Sequence, residues 1–86
     1  MSRPRISTDE CNFFVDLRGD GWSVFFAFDK DELAKGASLA RMMTEKVRVT
    51  IQHGGNVISS EELKTVARAA LPLLRTEVDG HFASKR

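Results

Sequence analysis

The chain has 86 residues, 42% of them hydrophobic and 29% charged, which excludes wholesale disorder and makes room for one domain rather than two. Thirteen basic side chains stand against twelve acidic ones, a net charge of +1 that lacks the strong positive field behind non-specific nucleic-acid binding. A single cysteine, Cys11, excludes an internal disulfide, and no apolar run approaches the ~20 residues of a membrane-spanning helix. The first ten residues carry charges and a proline where a signal peptide has an apolar stretch, so the expected setting is soluble and cytoplasmic.

Residues 1–11 are polar, contain Pro4 and show no periodicity, and read as a flexible arm. The stretch "NFFVDLR" then alternates. Phe13, Val15 and Leu17 take one face, and Asn12, Phe14, Asp16 and Arg18 the other. "WSVFFAF" alternates too, with Trp22, Val24, Phe26 and Phe28 on one face and Ser23, Phe25 and Ala27 on the other. A two-residue turn at Asp20-Gly21 sets Leu17 opposite Val24, Val15 opposite Phe26 and Phe13 opposite Phe28. A four-residue loop preserves the same faces, whereas a three-residue loop pairs core with solvent positions. Asp-Gly is a strong type I′ signal. The Arg18-Gly19-Asp20 tripeptide matches a cell-adhesion signal, but within this hairpin it reads as a chain reversal.

Asp29 followed by Glu32 forms a capping-box pattern, and a helix is expected from there to about Thr44. Gly36 interrupts it. A continuous helix places Leu33, Ala37, Ala40 and Thr44 on its buried stripe and leaves Leu39 and Met42 exposed. A restart after Gly36 gives Leu39, Met42 and Met43 their own stripe. "KVRVTIQ" reads as a third strand, with Val47, Val49 and Ile51 facing in and Arg48, Thr50 and Gln52 facing out. "NVIS" allows a short fourth. Ser59 with Glu62 marks a second capping box. The last helix carries Leu63, Val66, Ala67, Ala70, Leu71 and Leu74 on one face, with Pro72 expected to kink or divide it and Gly80 to end it. The architecture is therefore α+β: a small antiparallel sheet of three to four strands in the order β-β-α-β-(β)-α, with two helices on one face. It comprises one domain over 12–78, an arm over 1–11 and a frayed tail over 79–86.

No chemistry assembles from these residues. His53 and His81 have no ligands at metal spacing. Cys11 lies beside Asp9 and Glu10, which oppose thiolate formation, and it reads as a small half-buried residue at a strand edge. The acidic clusters at 29–32 and 61–62 fall at helix N-termini, where the dipole favours them. Catalysis, metals and cofactors are not expected.

One feature exceeds what folding needs. On the outer sheet face Phe14 and Phe25 form an apolar island beside Arg18 and Arg48. The N-terminal arm, through Ile6, is one cover for it. A protein interface, foreign or self, is a second, and a base-stacking platform is a third. Lys64, Arg68 and Arg75 lie along one line of the last helix as a secondary surface, with Leu39 and Met42 added if the first helix is continuous. The expected function is a non-catalytic binding protein that docks onto a larger protein and modulates or inhibits it. Small phage-encoded inhibitors offer an analogy of size only. Nucleic-acid binding, by the sheet face or the basic line, is the competing expectation.

Overall fold

The computed structural model describes residues 4–54 and 58–84. Three strands come first: β1 (Arg5–Thr8), β2 (Asn12–Gly19) and β3 (Trp22–Asp29). Three helices follow: α1 (Lys30–Ala34), α2 (Leu39–Gly54) and α3 (Ser60–Ala83). The strands form one antiparallel sheet in the order β1-β2-β3, and with the helices they make an α+β fold.

The alternation of 12–18 and 22–28 is realised in the two-residue register. Phe13 pairs with Phe28, Val15 with Phe26 and Leu17 with Val24, and Gly19 meets Trp22 across the turn. Only Gly21 of the two central residues is left-handed, at φ 76°, so the turn is not the type I′ that Asp-Gly suggests. A left-handed residue at the second central position alone is the requirement of a type II turn.

The inner faces of the strands supply Phe13, Val15, Leu17, Trp22, Phe26 and Phe28 to the core. The helices close it with Leu39, Met43 and Val47 of α2 and with Leu63, Ala67, Ala70, Leu74 and Val78 of α3. Lys30 and Lys46 set their ammonium groups 5.1 Å and 5.3 Å from the ring centres of Phe13 and Phe28, cation–π contacts at the core margin.

The segment 46–52 is not a strand: it is the second half of α2. Leu39, Met43 and Val47 recur every fourth residue and are buried, with Ile51 continuing the stripe half-buried. The same valine and isoleucine satisfy a period of two and a period of four. The helix started upstream extends through them, because their apolar stripe then meets α3. Val49 is the residue the strand reading places inside, and it is 39% exposed.

The break at Gly36 is the restart. Asp29 caps α1, its Oδ1 accepting from the Asp31 and Glu32 amides at 2.7 Å and 3.2 Å. Gly36 then turns left-handed at φ 97°, where a Cβ is disfavoured, and α2 begins afresh with the Ser38 hydroxyl accepting from the Arg41 amide.

Of the two segments expected to be loose, the described parts, 4–11 and 79–84, are built into the fold. Residues 5–8 form β1, which pairs with β2 so that Ile6 lies opposite Val15, and β2 thereby becomes an inner strand. The link between them is a tight turn in which Asp9 Oδ1 accepts from the Cys11 and Asn12 amides at 2.8 Å and 2.7 Å. Cys11 itself is exposed in this turn rather than half-buried. At the other end α3 runs through Pro72 and Gly80 to Ala83. Pro72 is exposed, and the Arg68 carbonyl that loses its amide donor there also belongs to an exposed residue. Beyond Gly80, Phe82 packs against the core and His81 meets the Phe13 ring edge-on at 5.3 Å. Of the expected fourth strand, 56–59, residues 56 and 57 lie outside the described residues, and Ile58 is in a bend.

Candidate functional site

The register sends Ser7, Phe14 and Ala27 to one row of the outer sheet face, and Arg5, Asp16 and Phe25 to the next. Phe14 and Phe25 occupy diagonal positions there. Their rings stack with centroids 5.2 Å apart and planes 20° from parallel, a favoured offset geometry. Phe25 remains 63% exposed, and neither ring belongs to the apolar set packed against the core. Ile6 does not cover the pair, because pairing with Val15 sends it to the inner face.

Arg18 is on the same outer face. Its Nη2 donates to Asp16 Oδ2 at 3.2 Å, so the aromatic pair is bordered by an ion pair whose guanidinium stays largely in water. The patch thus combines an apolar centre with one positive and one negative group at its edge.

Arg48 does not join it. Because 46–52 is helical, Arg48 sits on α2, where it bridges Glu45 one turn before and Gln52 one turn after. The pair shifts both groups: hydrogen bonding to Arg48 holds the Glu45 carboxyl below its ordinary value, and the same bond raises the guanidinium. Leu39 is not a surface residue either, being 5% exposed in the core, and Met42 is half-buried against it. Lys64, Arg68 and Arg75 are exposed along α3 as the helical period requires.

Two features need the tertiary structure to be seen. The first is the hairpin tip. The carboxylate of Glu62 does not turn back to its own helix cap, as a capping box would have it. Its Oε1 accepts from the Asp20 amide at 2.7 Å and from the Trp22 indole at 2.6 Å. Gly19 makes space for this latch, since a Cβ there would lie 2.0 Å from that oxygen and 2.1 Å from the indole.

The second is a groove of about 680 Å³ between α2 and α3. Met43, Val47, Ile51, Ala67 and Leu71 line its floor, and Arg48, Lys64 and Arg68 its sides. The i, i+4 stripe of 39–51 was the available signal, but 46–52 also alternates as a strand does.

Among the described residues, no group of three or more His, Cys, Asp or Glu side chains is placed to hold a metal ion, and no helix is long and apolar enough to cross a membrane. Comparison with protein-family models, with curated protein sequences and with solved structures found no match.

Proposed function

We propose that the protein is a non-catalytic binding module that docks onto a protein partner through the outer face of its sheet, and modulates that partner by occupying its surface. One observation carries this reading: the Phe14–Phe25 stack, with Phe25 63% exposed on a face that the chain's own core does not use. An exposed aromatic in a monomeric fold costs solubility without adding to the core, and aromatics of this kind anchor interfaces. The Asp16–Arg18 pair at its border would orient the partner more than it would tighten binding. Arg48 belongs to another surface and is not part of this contact.

The test is capture of partners from the native host's lysate with and without nuclease treatment, with the wild-type chain beside Phe25→Ala and Arg18→Ala, all checked for folding by circular dichroism. A protein retained by the wild type and lost by Phe25→Ala supports the reading. Retention unchanged by Phe25→Ala would falsify it. So would capture that disappears with nuclease, or that collapses with modest salt, since that is how phosphate-backbone binding behaves. Light scattering adds a further outcome: a dimer abolished by Phe25→Ala would make the partner a second copy of this chain.

A further inference from the structure

We infer that the groove between α2 and α3 receives an acidic amphipathic helix from a partner protein, at a site separate from the sheet face. The groove follows α2 from Ala40 to Gln52, and at about 1.5 Å per residue this is roughly 18 Å, or some three turns of a docked helix. Its floor is aliphatic, as helix-in-groove recognition requires. Its lining includes three cations and no carboxylate. The cations stand on both walls: Arg48 on α2, and Lys64 and Arg68 on α3. Lys64 and Arg68 are one helical turn apart, and no ion pair engages either among the described residues. Arg48 is shared with Glu45 and is the weaker of the three attractions.

That distribution selects the occupant. A helix with an apolar stripe and glutamates on both flanks meets both walls at once. A fatty acid has one carboxylate and satisfies only one wall. A single-stranded nucleic acid needs aromatic surfaces on which to stack its bases, and this groove has none among its lining residues. The whole chain carries a net charge of only +1, so the groove's three cations without a carboxylate are a local excess rather than a property of the molecule as a whole.

The experiment uses the full chain, labelled with ¹⁵N and titrated by NMR with a synthetic peptide of about sixteen residues. The peptide carries leucines at i, i+3, i+4 and i+7 and glutamates on both sides of them. A control peptide has every glutamate replaced by lysine. The acidic peptide is expected to shift Met43, Val47, Ile51, Ala67 and Leu71, and to bind at least tenfold more tightly than the control. Lys64→Glu with Arg68→Glu should weaken it tenfold or more, and Thr44→Trp, an exposed lining position, should obstruct it. Phe25→Ala should leave it unchanged, which separates this site from the sheet face. The inference is overturned by equal binding of the two peptides, by the absence of groove shifts at millimolar peptide, or by shifts confined to the outer sheet face. It is overturned equally if dodecanoate or a single-stranded oligonucleotide displaces the acidic peptide at lower concentration than the peptide itself binds.

Discussion

Phe13 and Phe14 are neighbours in β2, and Phe25 and Phe26 are neighbours in β3, yet the sheet divides each pair. Phe13 is 1% exposed and Phe26 7%, each closed in by helices, while Phe25 is 63% exposed with only Phe14 stacked on it. All four have the same chemistry, and the pleat alone assigns their roles. The inner pair is committed to stability. The outer pair contributes little to it and is free to contact something else. A residue's worth to the fold is therefore set by what lies across from its face, not by its type.

The largest expected effect sharpens this division. Phe13→Ala should cost about 3–5 kcal/mol in urea unfolding, as truncation of a fully buried phenylalanine does. Phe25→Ala should cost no more than about 1.5 kcal/mol, the scale of one exposed aromatic pair. Similar losses at the two positions would mean that the outer face is covered and the comparison is wrong.

A middle-sized effect tests how the inner face is sealed at the hairpin tip. Glu62→Ala strands the Trp22 indole N–H and should cost about 1–3 kcal/mol. Gly19→Ala forces a Cβ into the same carboxylate and indole and should cost about 1–3 kcal/mol by overpacking. The two changes disturb one latch, so the double variant should lose less than their sum. Strict additivity in denaturant melts would show that the latch does not exist in solution.

The smallest effect concerns the turn that brings β1 to β2. Hydrogen bonds from the Cys11 and Asn12 amides hold the Asp9 carboxyl below its ordinary value of 3.8, with Lys30 adding to the shift. A carboxyl depressed in the folded state stabilises it above the unfolded pKa and loses that contribution as pH falls through the folded one. Stability should thus decline on acidification below about pH 4, and part of that decline should vanish in Asp9→Ala. An unchanged acid profile in the variant would detach this turn from the stability of the sheet.

How much of this was legible in the residues depends on the range of the signal. The hairpin was, because two seven-residue runs of alternation, 12–18 and 22–28, leave few registers that keep Phe13, Val15 and Leu17 opposite Phe28, Phe26 and Val24. Phe14, Phe25 and Arg18 were legible for the same reason, since the outer face is whatever the inner face is not. Arg48 was misplaced with its segment. Val47, Val49 and Ile51 look like a strand in isolation, and only the upstream Leu39 and Met43 reveal the period of four. The strand β1 carries one apolar residue, Ile6, too few for any period to show. Its structure comes from pairing with the open edge of β2 and from the Asp9 turn.

The local pattern of the chain was sufficient to determine which faces of β2 and β3 are buried, the caps at Asp29 and Ser59 and the buried stripe of α3, while it left both the hairpin's loop length and the continuity of the helix at Gly36 open. Each feature so determined depends on residues a few positions apart, within reach of a turn, a cap or a single helical period. Only the tertiary structure decided that 46–52 is helical, that Glu62 serves the hairpin instead of its own cap, and that α2 and α3 leave a cation-lined groove between them. Those outcomes join elements tens of residues apart. When one apolar pattern fits two periods, the surface it packs against selects between them, and that surface is assembled only when the chain folds.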